Sequence, residues 1–391
     1  MKVLLGLDTD ELCALVQEAG GPAYRGKQIA EWVYQRGVRT FEQMTNLPDS
    51  LRAHLSKEYE VGRSETVAVQ RSRDGTIKLL LELADGSFDK LRMSGGNGLR
   101  MSGEEKLKTK DQKLKFHPHL NPLPSRERRL LLKIEAEGQK FKSMVETVGL
   151  PYADRFSCCL STQVGCPVGC VFCATGLGGY SRNLTAGEIV DQVLAVQEAA
   201  QTRVDHVVFM GMGEPLLNYE ATVKAVRLLN SELGIAMRHL TVSTVGFVPG
   251  IRRLAQEKLQ VTLAVSLHAP TDDLRRQLIP GMKWSLAEII DACREYLQQT
   301  GRRVTFEYCL LDGVNDGAKE AQELARLLRG MNCHVNLIPY NPVPGLSLYK
   351  RPRKSIRAFR EILEGAGIRV TQRVQRGPDI DAACGQLKAK N

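Results

Sequence analysis

The sequence predicts an α/β protein, namely a partial (β/α)6 barrel with a small N-terminal helical accessory domain. From residue 156 onward, short apolar runs alternate regularly with amphipathic helical patterns, which is typical of parallel strands joined by right-handed crossovers. Six such units are too few to close an eight-stranded barrel, so a partial barrel is expected. The first 65 residues instead show helical stripes without this alternation.

Residues 1–65 are expected to form the helical domain. Leu12 and Val16 lie at helical spacing, and further helical patterns occur at 23–35 and from Pro48 onward. A small helical domain of this kind is often a platform for nucleic acid, and we predict an RNA-binding accessory domain. The alternative interpretation is a packing appendage, which the pattern supports nearly as well.

Residues 66–155 are predicted to contain a β-hairpin with a long insertion. The apolar run 76–83 ends at a tight-turn signal, 84–86, but the return strand follows only at 144–148. The intervening segment, 87–143, repeats the motif Leu-Arg-Met-Ser-Gly, is rich in Lys and Pro, and shows no sustained apolar periodicity. We expect a disordered insertion at a hairpin tip, and an RNA-binding arm is the alternative.

Residues 156–375 are predicted to form the barrel, and residues 376–391 a separate C-terminal segment. The predicted strands are 156–162, 206–210, 240–244, 261–267, 304–311 and 334–338, with a last short strand near 369–374. The predicted helices between them include 186–201, 219–231, 286–299, 318–328 and 355–364. In β/α barrels the active site lies at the carboxyl ends of the strands.

Charge and cysteine content restrict the class of protein. The chain of 391 residues has a net charge of +10, of which the segment 87–143 contributes +7 through 14 Lys/Arg and 7 Asp/Glu. The remaining +3 is weak evidence for RNA binding by the folded part. No apolar run suits a membrane span, and ten cysteines without an export signal favour thiol or metal chemistry in the cytoplasm.

The segment Cys166-Pro-Val-Gly-Cys170-Val-Phe-Cys173 carries the strongest chemical signal. A [4Fe–4S] cluster normally takes four thiolates, so three would leave one iron open to a substrate or cofactor. The alternatives are half of a zinc site completed from elsewhere, and three buried apolar side chains. The spacing and the aromatic residue before the third cysteine resemble the signature of radical S-adenosylmethionine (SAM) enzymes. That resemblance implies SAM on the fourth iron.

Small and polar residues recur where the other predicted strands end. They are Gly211-Met212-Gly213-Glu214-Pro215, Ser243-Thr244, Ser266-Leu267-His268 and Pro339-Tyr340-Asn341-Pro342. Taken singly, each group is also typical of the polar end of an ordinary strand. Four such groups at one rim of the barrel favour a small-molecule site. Four cysteines have no motif, and core packing is expected for Cys13, Cys293, Cys309 and Cys333.

Outside the insertion, the whole chain resembles the RlmN family of radical SAM enzymes. Long motifs spread over most of the chain carry this resemblance: Arg25-Gly26-Lys27-Gln28-Ile29, Met44-Thr45-Asn46-Leu47-Pro48, Val145-Glu146-Thr147-Val148, Ser161-Thr162-Gln163-Val164-Gly165-Cys166, Gly211-Met212-Gly213-Glu214-Pro215, Ser266-Leu267-His268-Ala269-Pro270 and Asp381-Ala382-Ala383-Cys384-Gly385. Members of this family methylate C2 of adenine in ribosomal and transfer RNA, and the related Cfr enzymes modify C8.

The resemblance implies a role for each site residue. The implied cluster ligands are Cys166, Cys170 and Cys173, and the implied SAM contacts are Gly213, Glu214, Ser243, Ser266, Leu267, His268 and Asn341. Glu146 would accept a proton, Cys384 would carry the methyl group, and Cys159 would be the resolving thiol. Cys159 is preferred to Cys158 because it lies seven residues before Cys166, as in the family, and neighbouring strand residues face opposite sides. A return strand displaced by the insertion would misplace Glu146.

The family mechanism uses two SAM molecules. The resemblance implies that one would methylate Cys384, and that the reduced cluster would cleave the second to a radical that activates this methyl group for addition to adenine. Cys159 would then attack the Cys384 sulfur and leave a transient disulfide. The resemblance implies adenine 2503 of 23S rRNA and adenine 37 of tRNAs as substrates. We also expect an electron donor such as flavodoxin, no membrane partner, and a monomer.

Two other functions stay open at this point. One is Cfr-like methylation of adenine C8 by the same pair of cysteines. The other is a non-catalytic, metal-stabilised RNA-binding protein, which would leave Cys384 and the polar strand ends unexplained.

Overall fold

The structure is a computed structural model that describes residues 1–83, 143–343, 349–352 and 355–388. The insertion predicted at 87–143 lies outside the described residues except for Ser143, and so does the tight turn predicted at 84–86. All described residues belong to one unit with a common apolar core. Within the described ranges, no helix has the length and apolar character needed to cross a lipid bilayer.

Strands and helices occur over most of the described chain. The strands are β1 Lys2–Val3, β2 Tyr59–Glu60, β3 Glu65–Arg71, β4 Ile77–Glu82, β5 Met144–Pro151, β6 Phe156–Cys159, β7 Gln163–Gly165, β8 Tyr180–Asn183, β9 His206–Phe209, β10 Leu240–Thr244, β11 Thr262–Ser266, β12 Val304–Leu310, β13 Cys333–Pro339 and β14 Arg369–Gln372. The helices are α1 Thr9–Glu18, α2 Tyr24–Ala30, α3 Asp49–Leu55, α4 Ala174–Leu177, α5 Ala186–Ala200, α6 Tyr219–Ser231, α7 Val248–Gln256, α8 Asp272–Leu278, α9 Leu286–Thr300, α10 Ala318–Leu327 and α11 Ser355–Gly365.

The N-terminal helices form where the apolar stripes predict them. Helix α1 begins with a capping box, in which the Asp8 side chain accepts the Glu11 N–H and the Glu11 carboxylate accepts the Asp8 N–H, both at 2.8 Å. Helix α2 lies so close to α1 that a Cβ on Gly26 would come within 2.4 Å of the Cys13 backbone. A glycine is therefore required at this crossing. The helix predicted at 23–35 continues beyond α2 as a π-helical turn, Glu31–Gln35.

The barrel belongs to a ten-stranded sheet with the order β14-β13-β12-β11-β10-β9-β6-β5-β4-β3. The strands from β6 to β14 in this order are parallel, as the β/α alternation predicts. Strand β5 pairs antiparallel with β6, and β4 pairs antiparallel with both β5 and β3. The hairpin therefore continues the barrel's sheet. The predicted fold class is confirmed.

The return strand of the hairpin is not displaced. Strand β5 pairs with β4 in continuous register, with Leu80 opposite Glu146 and Glu82 opposite Met144. Leu79, Leu81 and Val145 are fully buried beside this ladder. A one-residue slip would turn these side chains out of the core, so packing fixes the position of Glu146 on β5.

Candidate active site

A short β-ribbon closes the base of the cysteine loop. Strands β7 and β8 pair antiparallel, and just beyond them the Cys166 N–H donates to the Gly179 carbonyl at 2.7 Å. Gly165 has a φ of +77°, and a Cβ there would lie 2.1 Å from the Gly179 oxygen. A side chain at this position would separate the two ends of the loop.

The three cysteines of the loop line one cavity with an empty volume of about 970 Å³. Phe172, the aromatic residue before the third cysteine, packs edge-on against His268, with ring centroids 5.0 Å apart. Burial raises the pKa of all three thiols, that of Cys166 to about 12. A neighbouring cysteine adds to each rise, which is Cys173 for Cys166 and Cys170, and Cys384 for Cys173. The loop therefore needs a bound positive charge to hold three thiolates.

The donor set fits an iron–sulfur cluster. In the described part of the chain, no three His, Cys, Asp or Glu side chains are arranged to hold one metal ion. A four-iron cluster takes each thiolate at a different iron, so its ligands line a cavity and do not converge on one point. Cys166, Cys170 and Cys173 line the cavity in this way. The same cavity has a further wall, in which Glu214, Ser243, Ser266 and His268 lie among apolar side chains, and this leaves room for a second group beside the cluster.

Gly213 and Glu214 form part of that wall. Gly213 has a φ of +102°, and a Cβ there would clash with the Gln163 side chain at 2.7 Å. The Glu214 carboxylate accepts the N–H groups of Leu216 at 3.1 Å and Val245 at 2.7 Å. Burial raises the pKa of this carboxyl to about 7, and both N–H groups oppose the rise. The Glu214 side chain therefore ties the loop after β9 to the loop after β10.

Ser243, Ser266 and His268 line the cavity at the ends of β10 and β11. The His268 Nδ1 accepts the Cys309 N–H at 2.9 Å, so the ring proton lies on Nε2. Burial lowers the pKa of His268 to about 3, with a contribution from the Arg275 guanidinium. His268 is therefore neutral. Leu267 differs from its neighbours, because its side chain is fully buried in the core.

Asn341 does not line the cavity of the three cysteines but holds the C-terminal segment beside it. Its Nδ2 donates to the Cys384 carbonyl at 3.1 Å, and its Oδ1 is buried without a hydrogen-bond partner. The Gly385 carbonyl accepts the Ala174 N–H at 2.8 Å, beside the last cysteine of the loop. Cys384 thereby lines the cavity of the three loop cysteines.

Cys384 and Cys159 both line a second cavity, which has a volume of about 560 Å³. Burial raises the pKa of Cys159 to about 12, and the Arg373 guanidinium opposes this rise. Cys158 lines neither cavity, is fully buried, and lies 3.7 Å from the Thr147 hydroxyl. The two neighbouring cysteines thus face opposite sides of β6. Both are free thiols, as is Cys384.

Glu146 lies in a third cavity, which it lines together with Lys78, Asp379 and Lys388. Lys78 Nζ lies 3.1 Å from Oε1 of Glu146, and the Lys388 N–H donates to Oε2 at 2.6 Å. Burial raises the pKa of Glu146, and the Lys78 charge opposes the rise. The structure therefore brings Glu146 to the C-terminal segment but not into either cavity lined by Cys384.

Sequence reasoning missed several side chains at the site. Lys78 pairs with Glu146, Gln163 Oε1 accepts the Glu214 N–H at 2.8 Å, and Arg373 lines both cysteine cavities. Cys309, expected only in the core, is buried but also lines the cavity beside His268. A charged residue within the apolar strand β4 was the available signal for Lys78. Arg373 had no such signal.

The fold and the cysteine loop define the class of protein. Residues 160–328 match the model of the radical SAM superfamily, whose members use a [4Fe–4S] cluster and SAM. Residues 3–61 match the model described as the ribosomal RNA large subunit methyltransferase N-terminal domain.

Comparison over the full length identifies the family. The chain is 46% identical to the probable dual-specificity RNA methyltransferase RlmN of Thermosynechococcus vestitus, over 99% of this chain and 98% of that protein. It is 45% identical to the protein of the same name from Gloeobacter violaceus, over 99% and 95%. A crystal structure of a radical SAM methyltransferase from Sphaerobacter thermophilus is similar over the whole of both chains, with a TM-score of 0.82 and 42% identity. The chain belongs to the RlmN family.

Proposed function

We propose that this protein methylates C2 of adenine in RNA, at adenine 2503 of 23S rRNA and at adenine 37 of tRNAs. One observation carries the proposal: Cys384 lines both the cavity of the three loop cysteines and the cavity that contains Cys159. A thiol in this position is within reach of a cofactor on one side and of a second thiol on the other. Methyl transfer through a cysteine needs both neighbours.

Cys166, Cys170 and Cys173 would hold the cluster, and the wall formed by Gly213, Glu214, Ser243, Ser266 and His268 would hold SAM. Leu267 and Asn341, which do not line this cavity, would complete the SAM site from beside it. When bound, the cluster and SAM supply a methyl group and a carbon radical. The His268 Nε2–H is a neutral donor toward the cavity. Leu267 would contribute through its backbone, because its side chain lies in the core.

Cys384, as the thiolate, would accept the methyl group at Sγ and carry it as a thioether. Once the carried carbon is joined to adenine, the Cys159 thiolate would attack Sγ of Cys384. An S–S bond forms, the bond from Sγ to carbon breaks, and its electron pair stays with the carbon, which takes up a proton. The Arg373 guanidinium favours the Cys159 thiolate against its burial. A reductant must then cleave the disulfide before the next turnover.

Glu146 would take the proton from adenine C2. Its carboxylate is held by Lys78 and by the Lys388 N–H, four residues after Cys384. Release of the Lys388 N–H would free Oε2 for the base. The C-terminal segment therefore contains the methyl carrier, Cys384, and also contacts the proton acceptor, Glu146, through the Lys388 N–H.

The test uses reconstituted, reduced protein with labelled SAM and protein-free 23S rRNA or tRNA, followed by digestion to nucleosides. We expect 2-methyladenine from the wild type and no methylated base from Cys384→Ala. Cys293→Ala is a matched control, because Cys293 is buried in α9 away from the three cavities. Formation of 8-methyladenine would show that the enzyme methylates C8 and not C2. RNA methylation by Cys384→Ala would overturn the proposal. A flavodoxin-type donor, a monomeric state and a cytoplasmic location stay predictions.

A further inference from the structure

Two guanidinium groups approach one tyrosine ring beside the cysteine cavity. Arg155 lies 4.3 Å and Arg376 5.0 Å from the ring centroid of Tyr152, both within cation–π distance. Tyr152 and Arg155 belong to the turn between β5 and β6, where the Tyr152 N–H donates to the Arg155 carbonyl at 2.8 Å. Arg376 instead follows β14. The ring therefore joins two distant parts of the chain.

The contact spans the open side of the partial barrel. Strand β14 is the end strand of the sheet, and β6 is the first parallel strand at the other side of the barrel. Tyr152 and Arg376 line the cavity that contains Cys159 and Cys384. They also line, with Arg155, a cavity of about 960 Å³ along the barrel strands. A substrate that reaches the two cysteines through this opening passes these three side chains.

Guanidinium groups outnumber carboxylates at the opening: Arg155, Arg373 and Arg376 line the cavity along the barrel strands together with one carboxylate of the described residues, Glu307, which interacts with Arg373. Arg373 adds a third guanidinium, and no carboxylate is found among the described residues that line the cavity of Cys159 and Cys384. Arg155 pairs with Asp154, whose side chain is 74% exposed, at 3.2 Å. Within the described ranges Arg376 has no carboxylate partner, and its Nε is buried without a hydrogen bond. A buried guanidinium donor without an acceptor is the position in which an anion is expected.

We propose that Arg155 and Arg376, stacked on Tyr152, form a clamp that binds a phosphodiester group of the RNA strand next to the target nucleotide. This inference rests on the proposed function and names how its substrate is held. Guanidinium groups match phosphate oxygens in pairs, and the ring keeps both groups in place without neutralising them. The strand stays at the opening, while the base reaches toward Cys159 and Cys384.

The test measures equilibrium binding of the full chain to a fluorescent RNA stem-loop with an unpaired adenine, across a series of salt concentrations. Arg155→Gln and Arg376→Gln should each weaken binding about tenfold near 0.1 M salt and reduce the slope of log K against log salt by about one. Arg294→Gln is the matched control. Arg294 lies on α9, is 54% exposed, and pairs with Asp291 at 3.0 Å. It should bind RNA as the wild type does.

Two further variants separate a clamp from a purely structural contact. Tyr152→Phe keeps the ring and should bind like the wild type, whereas Tyr152→Ala should lose affinity to a similar extent as the arginine variants. A DNA stem-loop of the same sequence should suffer the same losses, because the contact is to phosphate. If Arg376→Gln melts at a lower temperature than the wild type, its weaker binding no longer separates a lost phosphate contact from a disturbed fold. Arg155→Gln then tests the clamp, because the Arg155 side chain is 37% exposed and its replacement leaves the core intact. Unchanged affinity in Arg155→Gln overturns the clamp.

The outcomes for the clamp and for the proposed function are distinct. A wild type that binds RNA through the arginines but forms no methyladenine contradicts the proposed function and leaves the clamp in place. A wild type that forms 2-methyladenine, while both arginine variants bind RNA normally, contradicts the clamp alone.

Discussion

Lys78 and Glu146 form a buried ion pair across β4 and β5, with Nζ 3.1 Å from Oε1 and each side chain only 9% exposed. Lys78 Nζ also donates to the Asp381 carbonyl at 3.3 Å, and Glu146 Oε2 accepts the Lys388 N–H. One charge pair therefore fastens both ends of the segment that contains Cys384 to the barrel sheet. If either Lys78 or Glu146 is removed, the other is left as a buried charge without an opposite charge beside it.

Replacing Lys78 by Met should lower the free energy of unfolding by about 3 kcal/mol near neutral pH, because the Glu146 carboxylate is left buried and unpaired. Burial already raises the pKa of Glu146, and loss of Lys78 raises it further. The variant should therefore regain stability as the pH falls through that raised pKa toward 4.5. Urea unfolding at several pH values measures both effects.

The double variant Lys78→Met/Glu146→Gln should recover most of the lost stability. Lys2→Met is the control, since its pair with Glu58 is 3.8 Å long and exposed, and should change stability by less than about 0.5 kcal/mol. A double variant no more stable than Lys78→Met would show that the pair is not the cause.

Deleting residues 87–143 and joining Gly86 to Met144 through one or two turn residues should leave the protein folded. Glu82 and Met144 are direct partners at the end of the β4–β5 ladder, so a short turn can connect the strands. Each halving of the loop length lowers the entropic cost of closing the loop by only about 0.6 kcal/mol. Thermal denaturation and methylation of protein-free RNA check the result. Normal stability with a large loss of methylation would favour the RNA-binding arm.

The barrel was predictable because its signals are local. Each buried strand is a short apolar run between helical patterns, and β12, predicted at 304–311, is observed at Val304–Leu310. The cysteine loop was equally accessible, since its three thiols lie within eight residues. The sharing of one cavity by Cys384 and these thiols followed only from the family resemblance, because no local pattern joins residues so distant in sequence.

Side-chain partners across the sheet were beyond sequence reasoning. Lys78 and Glu146 are brought together by strand pairing over the insertion, and Arg373 reaches Met210 Sδ at 3.5 Å across the barrel. The resemblance implies that Glu214 contacts SAM, and the structure adds that its carboxylate also accepts two backbone N–H groups. A motif gives the position of such a residue along a strand and not the partner of its side chain.

His268 should make the stability of the cofactor-free protein depend on pH. Its folded-state pKa of about 3 lies below the ordinary 6.5, so the unfolded chain binds a proton that the folded chain does not. This contribution is present above pH 6.5 and is lost as the pH falls toward 3, at up to about 1.4 kcal/mol per pH unit. His268→Gln, which keeps an acceptor for the Cys309 N–H, should show a smaller slope between pH 6.5 and 5. The control variant is His54→Gln, whose site lies on the exposed face of α3. Equal slopes in all three proteins would contradict this assignment.

The neighbouring thiols of β6 face different surroundings. Cys159 lines the cavity of Cys384, whereas Cys158 packs on the opposite face near Thr147. If Cys159 resolves the adduct, Cys159→Ala should still methylate Cys384 and join it to RNA, but no thiol can release the product. RNA should then remain covalently bound through residue 384, and denaturing gels with and without nuclease would reveal it.

Cys158→Ala is the matched control, because it removes a thiol one residue away that faces the other side of the sheet. It should turn over without trapped RNA and lose only the stability expected for a small buried side chain. Cys384→Ala should show neither a methylated protein nor an adduct, since the carrier sulfur itself is missing. The variants Cys159→Ala and Cys384→Ala are thus both inactive in turnover but accumulate different species. A Cys159→Ala protein free of RNA, or a Cys158→Ala protein that carries RNA, would contradict the assignment of Cys159 as the resolving thiol.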